Sequence, residues 1–276
     1  MAAITRVAYL GPAGTNTEVA ALRYYPDAQR VPYPTIVQAA RAVAAGDVDR
    51  AMAPIENSLQ GTITDTVDLL IRDEGLAICG EIVLEIEHCL MVRPGAGRGD
   101  VEVIYSHPQS LGQCRLYLEA HFPGVRTEAA LSNSEAVAVM MKTPRSAAIG
   151  PARAAEIYGA RILERGIEDS PVNKTRFVVL AREGAAPTGN DKTSLAFGVA
   201  HDRSGTLVSV LHEFADRSIN LTKIESRPSG ADLGVYTFLI DVEGHRDDPL
   251  VAQALAAVKE QANFFKVFGS YPVWTE

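Results

Sequence analysis

The pattern of apolar and polar positions in the first part of the chain predicts strands that alternate with helices. Arg6–Leu10 has the continuous apolar character of a buried strand, and a helical pattern follows it with Thr17 as the expected N-cap. A second helix over Ile36–Ala45 is expected to end at Gly46, a typical C-terminal residue. A strand, a glycine-containing turn and a helix in this order begin an α/β fold.

The same alternation continues to about residue 180. Further strands are predicted at Arg50–Pro54, Ile82–Ile86, Leu90–Arg93, Val101–Tyr105, Ala147–Gly150 and Arg176–Leu180. Further helices are predicted at Ile63–Arg72, Ser110–Ala120, Ser134–Lys142 and Pro151–Tyr158. This stretch therefore predicts an α/β region with more than one strand-rich part.

The last third of the chain has a simpler pattern. Residues 182–192 have no periodicity and contain Gly, Pro, Thr and Asn, which predicts a linker. The elements predicted after it are strand Thr193–Ala200, helix Leu207–Arg217, strand Ile219–Glu225, strand Val235–Val242, helix Pro249–Ala262 and strand Phe264–Tyr271. The order βαββαβ is the ferredoxin-like arrangement, so we expect a second, smaller domain.

Composition narrows the classes of partner. The chain has 276 residues and a formal net charge of -8, which argues against binding nucleic acid or an anionic membrane. The three cysteines form no C-x-x-C pair, and we expect buried free thiols in a reducing compartment. No apolar run approaches the roughly 18 residues of a membrane span, and we expect no signal peptide because the apolar stretch in the first residues is short and interrupted. We therefore expect a cytoplasmic protein.

Two polar segments follow predicted strands in the first part of the chain. Gly11-Pro12-Ala13-Gly14-Thr15 places free backbone N–H groups at a helix N-terminus, where they can hold a phosphate or a carboxylate. The segment matches neither G-x-G-x-x-G nor the Walker pattern, which argues against a nucleotide site, and the structural alternative is a plain tight turn. Pro54-Ile55-Glu56-Asn57-Ser58, with Gly61-Thr62 after it, lies where open α/β sheets bind ligands, although it also suits a helix cap.

Two more polar segments lie at predicted strand ends. Ser106-His107-Pro108-Gln109 follows one strand, and a histidine such as His107, taken alone, is more often structural than a catalytic base. Asn173-Lys174-Thr175-Arg176-Phe177 enters another strand, and its arginine suits either a ligand carboxylate or a surface salt bridge. The histidines do not pair with Cys, Asp or Glu at ligand spacing, so we expect no metal site.

These four segments, followed by Gly205-Thr206-Leu207-Val208 and Glu225-Ser226-Arg227-Pro228, resemble the prephenate dehydratase family. Each segment alone is a weak signal, but all six in the family's order are specific. The chain departs from the family at Asn16, where an aromatic residue is usual, and at Thr206, where alanine is more common. The resemblance implies a two-lobed catalytic region over residues 1–181, built like a periplasmic binding protein. Lobe one would take about 1–77 plus 162–181 and lobe two about 78–161, with a linker at 182–192 and an ACT domain at 193–276.

The resemblance also implies an activity, the decarboxylative dehydration of prephenate to phenylpyruvate. It needs no cofactor, because aromatisation of the ring drives the reaction. Thr175 would lie beside the leaving oxygen and Arg176 would hold a carboxylate, while Glu56 is either a pocket acid or a structural partner. The other substrate-binding residues implied are Thr15, Asn57, Ser58, Gly61, Thr62, Ser106, His107, Gln109, Asn173 and Phe177.

The ACT resemblance implies regulation by L-phenylalanine and a homo-oligomer, either a dimer or a tetramer. The effector-binding residues implied are Gly205, Leu207, Val208, Asn220, Glu225, Ser226 and Arg227. Two other functions stay open at this point. An arogenate dehydratase would differ in one substrate contact, and a non-catalytic ligand-binding regulator would share the fold.

Overall fold

The computed structural model describes residues 4–72, 75–199, 204–230 and 235–275. The chain divides into two compact units. The first contains Met1–Thr66 and Ile82–Phe177, and the second contains Val67–Glu81 and Val178–Glu276. Within the described ranges, no helix has the length and apolar character that crossing a membrane requires.

Strands and helices alternate through residue 181. The strands are β1 Arg6–Leu10, β2 Gln29–Tyr33, β3 Arg50–Asn57, β4 Gly61–Thr62, β5 Ala77–Glu85, β6 Cys89–Val92, β7 Val103–Ser106, β8 Arg126–Ala129, β9 Ser146–Gly150, β10 Arg161–Glu164 and β11 Lys174–Ala181. The helices are α1 Asn16–Tyr24, α2 Ile36–Ala45, α3 Thr64–Arg72, α4 Pro108–Gln113, α5 Arg115–His121, α6 Asn133–Lys142 and α7 Ala152–Tyr158. The predicted α/β class is confirmed.

These strands form two mixed sheets. One has the order β2-β1-β3-β11-β5, with β4 beside β3, and the other has the order β10-β6-β9-β7-β8. In the first sheet β1 runs parallel to both β2 and β3. In the second, β7 is parallel to β8 and β9, whereas β6 is antiparallel to β9. Two separate sheets give the region its two lobes.

Helices cover both faces of the second sheet. Leu90 and Ile149 belong to one buried cluster, and Met91 and Ala148 belong to another. Successive residues of a strand point to opposite faces, so β6 and β9 bury side chains on both sides. This explains why both strands are continuous apolar runs without alternation, and why the sequence predicts them well.

The last third of the described chain is a four-stranded antiparallel sheet with two helices. Its elements are β12 Asp191–Gly198, α8 Thr206–Ala215, β13 Leu221–Pro228, β14 Tyr236–Glu243, α9 Pro249–Gln261 and β15 Phe264–Pro272. The strand order is β13-β14-β12-β15, and Leu195, Phe197 and Ile240 pack with Phe214 and Val258 in its core. The predicted βαββαβ order is confirmed. The predicted end of its first strand, Ala200, lies outside the described residues.

Four strands were not predicted, namely β2, the two-residue β4, β8 and β10. β4 pairs with β3 off the main path of its sheet, and β2, β8 and β10 each lie at an end of a sheet order. Edge strands bury less of their surface, so they lack the apolar signal of central strands. β2 also contains Pro32, which argues against a strand unless it is at an edge.

The structure corrects three other boundaries. Thr15, rather than Thr17, caps α1. The single helix predicted over Ser110–Ala120 is two helices that meet at Cys114, and the Asp169 carboxylate accepts a hydrogen bond at 3.1 Å from the backbone N–H of Leu116 in the second. The predicted linker ends early because β12 begins at Asp191.

Candidate active site

A cavity of about 380 Å³ lies in the first unit. Its walls come from the ends of β3 and β11, the first turns of α1 and α4, and the segments around them. The described lining residues are Asn16, Thr17, Pro54, Asn57, Gln60, Gly61, Thr62, Ile63, Ile86, His88, His107, Gln109, Ser110, Gln113, Asn133, Asn173, Thr175 and Phe177. This described lining is rich in amides and hydroxyls and contains no Lys, Arg, Asp or Glu.

Asn57, at the end of β3, organises one wall. Its side-chain oxygen accepts hydrogen bonds from the backbone N–H groups of Leu59 at 3.1 Å and Gln60 at 3.2 Å. Its side-chain nitrogen is thereby turned to the other side, 3.1 Å from the Lys174 carbonyl and 2.9 Å from Thr175 Oγ1. Since an amide nitrogen only donates, the Thr175 hydroxyl accepts this hydrogen bond and keeps its own proton for another acceptor.

Strand alternation separates Thr175 from Arg176. Thr175 and Phe177 are buried and line the cavity, whereas Arg176 lies on the opposite face of β11. There the Arg176 guanidinium is 3.4 Å from a carboxylate oxygen of Glu56, which likewise alternates with Asn57 on β3. The structure therefore pairs Arg176 with Glu56 and brings neither into the described cavity lining.

Two of the expected site hydroxyls hold the backbone around the cavity. The Ser58 hydroxyl donates to the Val172 carbonyl at 2.7 Å and accepts from the Lys174 N–H at 2.9 Å. Thr15 Oγ1 accepts from the Glu18 N–H at 3.3 Å as the N-cap of α1, which places the first turn of that helix at the cavity. Neither hydroxyl-bearing residue lines the cavity itself.

Ser106 and His107 act mainly on their neighbours. The buried Ser106 hydroxyl lies 3.0 Å from the side-chain oxygen of Asn133, which also accepts from the His107 backbone N–H at 3.1 Å. His107 caps α4, because its Nδ1 accepts from the Gln109 N–H at 3.3 Å. Burial lowers the pKa of His107 below its usual 6.5, which keeps the ring neutral and able to accept. Asn133 and Gln109 are thus oriented within the lining.

Several lining residues were missed by the sequence analysis, among them His88, Gln113 and Asn133. A usable signal existed for Gln113, because it lies in the predicted helix Ser110–Ala120, four residues after Gln109, and a helical spacing of four puts both on one face. His88 and Asn133 stand alone in the sequence and carry no such signal.

Metal ligands and thiols are the other groups that could carry chemistry. The described residues contain no group of three His, Cys, Asp or Glu side chains that could hold a metal. Cys89 and Cys114 are buried free thiols as predicted, whereas Cys79 is partly exposed. Burial, with the nearby Glu87 carboxylate, raises the pKa of Cys89 to about 12, so this thiol is unreactive at neutral pH.

Comparison with known proteins identifies the family. The family model for prephenate dehydratase matches residues 7–185, and the ACT domain model matches residues 193–260. The chain belongs to the prephenate dehydratase family. The predicted resemblance is confirmed, and the second unit contains an ACT domain.

Three relatives show how widely this similarity extends. A bifunctional chorismate mutase/prephenate dehydratase of Stutzerimonas stutzeri is 40% identical over 97% of this chain and 73% of its own length. A prephenate dehydratase of Mycobacterium bovis is 37% identical over 98% of this chain and 87% of its own. Arogenate dehydratase 1 of Petunia hybrida is 40% identical over 97% of this chain and 67% of its own.

Solved structures agree on the fold. A prephenate dehydratase of Arthrobacter aurescens in complex with L-Phe is 36% identical, with a TM-score of 0.89 over 98% of this chain and 90% of that one. GqqA, described as a novel type of quorum quenching acylase, is 31% identical, with a TM-score of 0.87 over 98% of both chains.

In the ACT domain, the first three expected effector residues lie at the start of α8. Gly205 has φ +88°, a left-handed conformation that glycine adopts without strain. Leu207 packs against the domain core, and Val208 is 55% exposed. These two neighbours therefore face different surroundings.

The remaining expected effector residues lie on or just before β13. Glu225 and Arg227 share one face of the strand and Ser226 lies on the more exposed face. Arg227 is 2.5 Å from Asp68, which belongs to the same compact unit. Asn220 donates to Glu243 at 3.0 Å. The structure does not bring all of these side chains together on one surface.

Proposed function

We propose that this chain is a prephenate dehydratase that works without a cofactor. In the reaction the ring carboxylate leaves as CO₂, its bonding electrons enter the ring, and the C–O bond of the ring hydroxyl breaks. The hydroxyl takes up a proton from solvent and departs as water, leaving phenylpyruvate. The observation that carries the proposal is the 2.9 Å hydrogen bond from Asn57 to Thr175 Oγ1 within the cavity.

Thr175 is proposed to stabilise the leaving oxygen. Its hydroxyl accepts from Asn57, so its proton is directed to a different acceptor. A threonine hydroxyl is too weak an acid to give up its proton fully. It contributes instead through a hydrogen bond that strengthens as negative charge develops on the departing oxygen.

The neutral cavity suits a decarboxylation. Among the residues described at its wall, amides and hydroxyls replace the arginine or lysine that would bind a carboxylate strongly. A carboxylate that must become neutral CO₂ should not be stabilised more in the ground state than in the transition state. The other carboxylate of prephenate can meet the first turn of α1, where Asn16 and Thr17 lie at the positive helix end.

The remaining roles follow from position. We propose that Asn57, Gly61, Thr62, His107, Gln109, Asn173 and Phe177 contact or orient the substrate. Thr15, Ser58 and Ser106 are proposed to hold that arrangement through the backbone and Asn133. Arg176 and Glu56 are proposed to act as an ion pair that fixes the two strands; direct carboxylate binding by Arg176 remains a prediction.

The same cavity weighs against other functions. Arogenate carries an ammonium group where prephenate has a keto group, and the described lining offers it no carboxylate partner. An acylase needs a nucleophile activated by a base, whereas the group bonded to Thr175 is an amide that donates. The cavity therefore favours prephenate.

We further propose a cytoplasmic homo-oligomer, a dimer or tetramer, that phenylalanine inhibits through its ACT domains. The relative from Arthrobacter aurescens in complex with L-Phe supports the effector. β13 is an edge strand of the ACT-domain sheet and carries the exposed Ile224. An edge strand with an exposed apolar side chain supports pairing with a second copy of the chain.

A comparison of substrates tests the proposal. Initial rates of the purified chain are measured with prephenate and with arogenate, each with and without phenylalanine, and light scattering gives the oligomer. We expect prephenate to be used with the higher kcat/KM and phenylalanine to lower its rate. A higher kcat/KM for arogenate would contradict prephenate as the substrate. A rate that phenylalanine does not change, together with no phenylalanine binding in calorimetry, would contradict the proposed regulation.

A further inference from the structure

A chain of side-chain hydrogen bonds connects the buried His88 with Thr175. His88 Nε2 is 2.8 Å from Gln113 Oε1, and the same oxygen is 3.1 Å from Asn173 Nδ2. Asn173 Oδ1 is in turn 2.9 Å from Asn57 Nδ2, which reaches Thr175. All five residues line the cavity.

The direction of every bond in this chain can be worked out from the backbone. The oxygen of Asn57 faces two backbone N–H groups and its nitrogen faces the Lys174 carbonyl, so this amide has one possible orientation. Its nitrogen must donate to Asn173 Oδ1, which leaves Asn173 Nδ2 as the donor to Gln113. The Gln113 oxygen is then the acceptor for His88, so His88 carries its proton on Nε2.

Hydrogen bonds hold the backbone of His88 in place. It is 2% exposed, its backbone N–H donates to Glu168 at 2.8 Å, and its carbonyl accepts from the Ile167 N–H at 3.1 Å. Beside it, the Ile86 N–H donates to the Asn173 carbonyl at 2.8 Å. The backbone that carries the imidazole is thus hydrogen-bonded at His88 itself and, two residues earlier, to Asn173.

We propose that His88, with a proton on Nε2, is a positioning residue that orients Gln113 and Asn173 and through them the Asn57–Thr175 pair. The inference rests on the proposed dehydratase activity. Gln113 Oε1 accepts from both His88 and Asn173, so loss of the imidazole donor lets its amide turn. If Asn173 moves, Asn57 Nδ2 loses its acceptor there and shifts. Because Asn57 Nδ2 donates to Thr175 Oγ1, the Thr175 hydroxyl proton then changes direction.

Three variants test this role against simple packing. In His88→Gln the amide nitrogen reaches about as far as Nε2, whereas in His88→Asn it is a methylene too short, and His88→Leu has no donor. We expect kcat to fall about tenfold in His88→Leu and His88→Asn with KM changed by less than about threefold, since misorientation acts on the chemical step. His88→Gln should recover most of the rate. Equal losses in the three folded variants, or a change in KM alone, would overturn the proposal.

A double-variant cycle and a spectrum complete the test. If His88 acts only through Gln113, His88→Leu should cost no further rate in a Gln113→Met background, and additive losses would overturn the proposal. The ¹⁵N spectrum of the wild-type imidazole should show the proton on Nε2, and a proton on Nδ1 alone would overturn it. The spectrum needs no turnover, and absence of any wild-type turnover of prephenate would refute the proposed function instead.

Discussion

Replacing Thr175 with valine removes one hydroxyl from the cavity and little else. The side chain is 8% exposed, and valine keeps its branched shape. Asn57 Nδ2 has two hydrogens and three acceptors within reach, which are Asn173 Oδ1, the Lys174 carbonyl and Thr175 Oγ1. After the substitution two acceptors remain for two hydrogens. No buried donor is left without a partner, so Asn57 should stay in place.

The size of the effect follows from this geometry. We expect the free energy of unfolding to fall by only about 1 kcal/mol, the usual net value of one hydrogen bond. Loss of a hydrogen bond that strengthens in the transition state should lower kcat by about 10²–10³. KM should change by less than about threefold, because the ground-state contacts of the substrate are kept.

The assay is the initial rate of phenylpyruvate formation over a range of prephenate concentrations, with urea unfolding as the check on stability. Thr175→Ser is the matched control, since it keeps the hydroxyl and loses only a methyl group. It should retain most of the wild-type kcat. A folded Thr175→Val enzyme with nearly normal kcat would refute the role of the hydroxyl, and so would a Thr175→Ser enzyme as slow as Thr175→Val.

Three further predictions concern other residues. The prediction that the Arg176 fork holds a carboxylate requires a raised KM in both Arg176→Lys and Arg176→Ala, and an unchanged KM would refute it and support the proposed ion pair with Glu56. Gly205→Val, tested in the full chain, should weaken phenylalanine inhibition without changing the uninhibited kcat, because φ +88° strains a branched residue; unaltered inhibition would contradict it. Because burial lowers the pKa of His107 below 6.5, the unfolded chain binds its proton first, and the free energy of unfolding should fall as pH drops below 6.5. In urea unfolding, His107→Asn should lose less stability than wild type between pH 7 and 5, and an equal loss would contradict this.

The full chain is the right material for the phenylalanine experiments. Val67–Glu81 belongs to the same compact unit as the ACT domain, and Lys192 is 3.0 Å from the nearly buried Glu81. Ending the chain near Arg182 would remove Lys192 and leave that carboxylate without this partner. A truncated form could therefore lose activity for reasons unrelated to regulation.

Much of the fold could be predicted because central elements carry strong local signals. β1 is a continuous apolar run, and α2 ends at Gly46, whose left-handed φ of 82° closes the helix. The edge strands β2 and β8 escaped prediction since they are partly exposed and need no apolar pattern. The break at Cys114 depends on Asp169, which lies 53 residues beyond Leu116 and cannot be paired with it from local sequence.

The site was predicted in part for the same reasons. Asn57 and Thr175 are 118 residues apart, and only the family resemblance placed them in one site. The expectation that Thr175 and Arg176 both contact the substrate stays a prediction, and the sequence already indicated a difference between them, because neighbours on a strand point to opposite faces. His88 could not be found at all, since its part in the cavity depends on partners that only the folded chain brings together.

The most direct test of the proposed dehydratase activity is the stoichiometry of products from prephenate in the absence of any cofactor. Purified wild-type protein and its Thr175→Val variant are incubated with prephenate at neutral pH, and phenylpyruvate and CO₂ are measured together. We predict equal amounts of the two products from the wild type, formed far faster than without protein, and a rate about 10²–10³ lower for the variant. Folded wild-type protein that forms no phenylpyruvate above the uncatalysed rate would contradict the account.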